Sequence, residues 1–459
     1  MKRVVVASCA VLVLAMAGYA VADAFDKVPG VLTIAPEPPP LASPYPTPSP
    51  SPSASDPPAP TPAGIEAALA PALADPALGP SVGISVRDGI TGTELYGKDT
   101  TTARTVASLQ KLLAAYVLVD ALPLGDPLTT SVVRGAQPDH VVVRAGGDMY
   151  LSPGAGDPEA VLGRAGLADL ADQVTKALGA NPGPLTLDLD TGYAAGPAIP
   201  PTWSKADLAA GFTGPVVMLG LVTQRAQDGR PAPADPPRSA AAALADRLRE
   251  RGLQVTVGDS VTTSAQAPLL GEVRSAPIRD LLEVALQDSD NALVENLTRQ
   301  AMVRAGVDPA SSTGDFVAAR AVAAGLPAGE MSIVDASGLS PGQKVTVGVI
   351  SQILATAADG KHAELRGVVL ELAVAGLNGS LEKRFRGEAT REFAGVPRAK
   401  TGTLTGASAI GGWTVDAQGR PLLYVVVADE INPSFASGTE PARAALDRLV
   451  GVLTSCGCR

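Results

Sequence analysis

Thirteen of the 27 residues from Pro36 to Pro62 are proline, interleaved with Ser, Ala and Thr. Proline lacks a backbone N–H and holds φ near one value, so this stretch can neither continue a helix nor sit inside a sheet. Extended polyproline geometry with no apolar face to bury is what remains, and the stretch reads as a spacer. It divides the chain into a short leader and a long body.

The leader carries Lys2 and Arg3 ahead of Val4 to Ala22, 19 residues without a charge, with Ala20, Ala22 and Ala24 at small-residue spacing. Residues 1–24 therefore read as an export signal or as a single membrane anchor through residues 4–22; about 20 apolar residues cross a bilayer, so both outcomes stay open. Cys9 has too few apolar residues before it for a lipoprotein signal. The expected location is extracytoplasmic, secreted or anchored, with residues 25–63 as linker. The reading of that linker is a stalk or an unstructured leader.

The formal net charge of −10 disfavours nucleic acid or anionic lipid as a partner, since both call for an excess of Lys and Arg. Beyond the leader the only cysteines are Cys456 and Cys458, so the body has no disulfide framework or zinc cluster. That Cys-Gly-Cys tail could close a ring, pair between molecules or stay reduced. Only His140 and His362 could serve a histidine mechanism, and both read as surface or turn residues. Hydrolytic chemistry in this chain points to another base.

In the body, residues 65–74 read as a helix, 81–86 and 94–97 as strands, and a helix starts near Ser108. At the far end, 407–415 and 422–428 read as strands and 441–453 as a helix. The two ends pair as halves of one helix-and-sheet domain, residues 64–124 and 275–459. Residues 125–274 form an insertion of one or two smaller domains.

Three motifs follow one another: Ser108-Leu109-Gln110-Lys111, Ser289-Asp290-Asn291 and Lys400-Thr401-Gly402. Ser and Lys three apart at a helix start share one face, within hydrogen-bond reach. A Lys amine whose pKa is lowered by burial or by a second cation can take the serine proton, and Lys400 is the expected second cation. Ser-x-x-Lys alone is weak: composition gives about 0.6 chance matches, and Ser380-Leu381-Glu382-Lys383 is a second copy. All three motifs in order is a strong signal, and it leaves Ser380 a structural or groove role.

This set is shared by class A β-lactamases and penicillin-binding proteins. No Glu-x-x-Leu-Asn segment, which carries the deacylating Glu of class A lactamases, lies between the second and third motifs. Residues 64 to about 455 resemble the D-alanyl-D-alanine carboxypeptidase/endopeptidase family of class C low-molecular-mass penicillin-binding proteins, peptidase family S13. Besides the motifs, Gly146-Gly147-Asp148, Glu295-Asn296-Leu297, Asp335-Ala336-Ser337-Gly338 and Gly379-Ser380-Leu381 carry the resemblance. Ala336 stands where Gly is usual, and Lys205 where a second Trp is common after Trp203.

The resemblance implies an α/β fold: a transpeptidase-like (serine β-lactamase-like) domain with an antiparallel sheet flanked by helices and the motifs at its edge. It implies an acyl-enzyme pathway on peptidoglycan peptide stems, cleaving D-Ala-D-Ala or cross-links, with β-lactam antibiotics as covalent ligands and no metal or cofactor. Ser108 is then the nucleophile and Lys111 its base. Ser289 relays a proton to the leaving amine, Asn291 meets the substrate amide, and Lys400 and Thr401 meet its carboxylate. Backbone N–H groups of Ser108 and Thr403, beside Gly402, make the oxyanion hole, worth about 3 kcal/mol per donor. Leu404 is expected as a pocket wall. Asp207 is the candidate partner of the amine on a diaminopimelate side chain, against the plain reading of a cap on a helix starting at Leu208. Asp148 reads as a turn residue. A β-lactamase or esterase using the same serine, and a non-catalytic wall-peptide scaffold, are the competing readings.

Overall fold

The computed structural model describes residues 56–179, 181–327, 331–432 and 439–459, with residues 17, 19 and 20. The rest of the leader, Cys9 and most of the spacer lie outside the described residues. Among those described, no helix is long and apolar enough to cross a membrane. All elements below belong to one unit, Pro57–Arg459.

The two ends of this unit build one five-stranded sheet. It uses β1 (Ser81–Asp88), β2 (Glu94–Lys98), β10 (Arg398–Leu404), β11 (Ala407–Val415) and β12 (Pro421–Asp429) in the order β10-β11-β12-β1-β2, antiparallel throughout. The unbroken apolar run of β12 has a physical reason: both faces of the strand are covered. Leu423, Val425 and Val427 point to one cluster, while Leu422, Tyr424, Val426 and Ala428 point to the other. Helices α1 (Pro62–Leu73) and α11 (Glu440–Thr454) fill the second face. The first face holds α2 (Gln110–Ala121), α6 (Ile278–Gln287), α7 (Asn291–Arg304), α8 (Thr313–Ala323) and α9 (Val347–Ala358). A short helix, α10 (Ala363–Leu370), joins that layer. Helix α2 is buried from Gln110 through Ala115 and again at Val117 and Leu118, so it is apolar nearly all round, as a central helix must be. Its burial is what strips water from Lys111.

The inserted stretch builds a second five-stranded sheet, mixed rather than antiparallel. Its order is β7 (Val255–Ser260), β6 (Leu185–Asp190), β5 (His140–Arg144), β4 (Pro127–Arg134) and β8 (Leu269–Pro277). Strands β5, β6 and β7 run parallel, with α3 (Leu167–Leu178) and α5 (Pro236–Glu250) contributing to one shared apolar cluster. The loops between these elements divide: Leu151, Met218 and Leu221 stay with the insertion's cluster, whereas Met149, Tyr150, Trp203 and Val216 pack into the core of the first face. A two-residue pair, β3 (Ala103–Arg104) with β9 (Val345–Thr346), ties the approach to α2 to the segment before α9. Cys456 and Cys458 are joined to each other.

Candidate active site

Ser108 lies in a 3-10 turn, Ala107–Leu109, that runs directly into α2. Ala107, without being glycine, holds φ at +49°, so the turn is kept in shape by what packs on it. Two glycines do this. A Cβ on Gly402 would sit 2.4 Å from Val106 O and 3.2 Å from Ser108 N, and one on Gly338, whose φ is +82°, would sit 2.2 Å from Ala107 O. The glycine of the third motif therefore lets the edge strand β10 close on the Ser108 turn.

Lys111 Nζ is 2.9 Å from Ser108 Oγ, 2.5 Å from Asn291 Oδ1 and 2.6 Å from Ser337 O, and the lysine is fully buried. Burial brings its pKa down to about 8, against the opposing pull of Asp335, Asp290 and Glu295. Of the two causes the sequence offered, burial or a second cation, burial is the largest at Lys111. Lys400 is itself fully buried, donates to Thr401 O at 2.7 Å, and is held well below the usual lysine range by burial and then by Lys111.

Asn291 opens α7, and its Nδ2 donates to Phe212 O at 2.9 Å, which leaves Oδ1 aimed at Lys111. Asp290 caps the same helix, accepting Leu293 N at 3.0 Å. Ser289, between α6 and α7, takes a left-handed φ of +60° and lines the cleft; its hydroxyl hydrogen-bonds to neither lysine.

Beneath Lys111, Glu295 Oε1 accepts Ala336 N and Ser337 N, each at 2.8 Å, and Oε2 accepts Thr313 Oγ1 at 2.6 Å. Asp335 receives Gly338 N and Gln343 Nε2 on one oxygen and Trp203 Nε1 on the other. Desolvation, with Asp335 nearby, pushes Glu295 up to about 7. Glu295 and Ser337 carry no role in the sequence reading beyond the resemblance; an acidic residue four positions into the helix after the second motif was the available signal.

These groups open on a cleft of about 1260 Å³ whose wall includes Ser108, Ser289, Asn291, Thr401, Thr403, Leu404 and Asp207. Leu404 also packs against the helical core. The cap expectation for Asp207 is corrected: helix α4 (Lys205–Ala210) starts earlier, Ser204 caps it by accepting Ala206 N and Asp207 N, and Asp207 lines the cleft with no side-chain partner among the described residues. Ser380 lines the cleft with a buried, unpaired hydroxyl. Phe212 lines it as well and is 56% exposed, an aromatic that no motif pointed to. Asp148 is buried, turns the chain by accepting Tyr150 N at 2.8 Å, and is pushed up to about 6 by desolvation. His140 heads β5 paired to Asp188, and exposed His362 precedes α10; neither lines the cleft. Among the described residues no group of three or more His, Cys, Asp or Glu is placed to hold a metal ion.

A serine hydroxyl on a buried lysine, at the edge of an antiparallel sheet sandwiched by helices, defines the class: a serine hydrolase of the Ser-Lys type. The chain belongs to the D-Ala-D-Ala carboxypeptidase 3 (S13) family, which it matches over residues 65–229 and 230–450. It is 34% identical over 381 residues to carboxypeptidase DacB of Mycolicibacterium smegmatis, covering 81% of this chain and 80% of that protein. It is 30% identical over 200 residues to the D-alanyl-D-alanine carboxypeptidase of Actinomadura sp. strain R39, covering 40% and 36%. Penicillin-binding protein 4 (dacB) of Haemophilus influenzae shares the fold at a TM-score of 0.67 and 19% identity, over 81% of this chain and 95% of that one.

Proposed function

We propose that the protein is an exported serine DD-peptidase that cleaves the terminal D-Ala-D-Ala bond and peptide cross-links of peptidoglycan through an acyl-enzyme on Ser108, and that β-lactams acylate the same serine. Family membership supports the substrate class. A predatory peptidoglycan endopeptidase of Bdellovibrio bacteriovorus has this fold at a TM-score of 0.52 and 16% identity over 82% of this chain and 94% of that one, and the Haemophilus protein was also solved with a β-lactam. The apolar run from Val4 to Ala22 supports export.

The observation that carries the mechanism is the set of three partners around Lys111 Nζ. Two of them, Ser337 O and Asn291 Oδ1, can only accept; the third, Ser108 Oγ, can also donate. A neutral amine keeps two N–H donors for the first two and turns its lone pair on the one partner that has a proton. Ser108 then attacks the peptide carbonyl while Lys111 takes its proton, and Ser289 passes a proton to the departing D-alanine amine. The backbone N–H groups of Ser108 and Thr403, brought together by Gly402, bind the oxyanion. Lys400 and Thr401 receive the substrate carboxylate. Hydrolysis of the ester runs the same proton path in reverse.

Intact-mass spectrometry after exposure to penicillin tests the nucleophile: one adduct in the wild type and none in Ser108→Ala. Absence of an adduct, or its survival in the variant, sinks the proposal. Fast turnover of a chromogenic β-lactam with no D-alanine released from muropeptides favours the lactamase reading. Cell fractionation checks the location, which a cytosolic protein would contradict.

A further inference from the structure

Ser289 stands between two carboxylates, Asp288 closing α6 and Asp290 capping α7. A non-glycine residue at φ +60° is strained and persists only where neighbours over-determine it. One side chain of the inserted stretch holds both flanks. Arg225 Nε donates to Asp290 Oδ2 and Arg225 Nη1 to Asp288 Oδ2, each at 2.8 Å. The guanidinium carbon lies 5.4 Å from the centre of the Tyr150 ring, and the Tyr150 hydroxyl donates to the same Asp290 oxygen at 2.5 Å.

The two bridges differ in character. Arg225 and Asp290 side chains are 16% and 8% exposed, whereas Asp288 is 39% exposed, so the Asp290 contact is the dry and strong one and the Asp288 contact fixes the angle. A planar fork with several fixed donors can span two carboxylates; the point charge of a lysine cannot. Tyr150 lies in the connection that follows β5 and Arg225 in the connection that follows β6, and because these strands are parallel both connections leave the same end of the insertion's sheet. Both line the cleft.

We infer that Arg225 is a positioning residue for Ser289: by bridging Asp288 and Asp290 against Tyr150 it holds the Ser289 hydroxyl in the cleft, and so makes the inserted region part of the catalytic machinery. The inference rests on the reading of Ser289 as the proton relay. A tie that merely docks the insertion would lower stability and the yield of folded protein but leave each folded active site at full rate.

A double-mutant cycle on the full chain separates the two. Wild type, Arg225→Lys, Ser289→Ala and the double variant are compared for acylation by a fluorescent penicillin and for D-alanine release, with kcat normalised to the sites titrated at end point, and with KM and Tm alongside. Arg225→Lys is expected to lower acylation and kcat by about 10- to 100-fold with KM within about threefold. In the Ser289→Ala background the same change is expected to alter the rate less than about twofold, because its route of action is gone. An equal loss in both backgrounds, or an unchanged normalised rate with only Tm lowered, overturns the inference. Ser289→Ala at full rate removes the relay itself, and with it the clamp's purpose; a slow Ser289→Ala with additive losses removes only the clamp. If Arg225→Lys does not fold, Tyr150→Phe, which deletes one bond to Asp290, runs the same cycle with an expected loss of about threefold and the same overturning outcomes.

Discussion

Glu295 accepts the backbone N–H of Ser337 at 2.8 Å, and the carbonyl of Ser337 accepts from Lys111 Nζ at 2.6 Å. A buried carboxylate thus orients Lys111 through one residue, and its charge also raises the Lys111 pKa against burial. Glutamine at 295 keeps the shape but loses the charge and presents an NH2 to donors it cannot accept from. Glu295→Gln is expected to move the acidic limb of the acylation profile to lower pH and to lower its plateau about tenfold. The rate of fluorescent-penicillin acylation across pH checks both, and an unmoved limb breaks the electrostatic link.

Lys111 works as a base only when neutral. With its pKa lowered to about 8, the neutral fraction grows as pH rises through that value. Acylation is therefore expected to climb until it levels above about pH 9, and to stand near one hundredth of the plateau at about pH 6. Lys111→Ala is expected to cost about 10²- to 10⁴-fold and to flatten the limb. A wild-type rate independent of pH over this interval contradicts the assignment.

Gly402→Ala places a methyl 2.4 Å from Val106 O, a backbone atom with nowhere to go. The edge strand and the nucleophile turn must part. The expected loss is about 1–3 kcal/mol in stability with acylation down at least about tenfold. Gly125→Ala, where a Cβ meets nothing within 4 Å, is the control and is expected to stay within about 0.5 kcal/mol. Thermal melts and acylation rates read both.

Asp207 lines the cleft, and its carboxylate has no partner among the described residues. Asp207→Asn is expected to raise KM about 5- to 30-fold for stem peptides with a free side-chain amine and to leave KM for the N-acetylated peptides unchanged. Stability should hold within about 0.5 kcal/mol. Equal effects on the two substrate sets would remove Asp207 from amine recognition.

The ends of the catalytic sheet were legible because their pattern is local. Residues 407–415 are a strand-like run that ends at a turn, and 422–428 are apolar without a break, as a strand covered on both faces must be. The start of the helix near Ser108 was legible in the same way, although Ser108 itself sits in a 3-10 turn ahead of α2. The insertion was less readable. Its short Val and Leu runs suit parallel and antiparallel pairing alike, and nothing local says that Tyr150 and Trp203 leave its sheet for the catalytic core. Arg225 had no signal at all: one arginine in a loop is ordinary until two carboxylates from a distant turn meet it.

By itself the sequence determined which chemical groups exist and how they are spaced. With two histidines and no metal-ligand spacing, a Ser-Lys pair three residues apart was the available nucleophile and base. Tertiary structure decided whether that lysine is a base. Its pKa depends on water excluded by a helix buried nearly all round, on Asn291 from 180 residues away, and on three carboxylates from the segments packed around it. Solvation and charge act through space, so the strength of a base is a property of the packed molecule, whereas its position in a motif is a property of the chain.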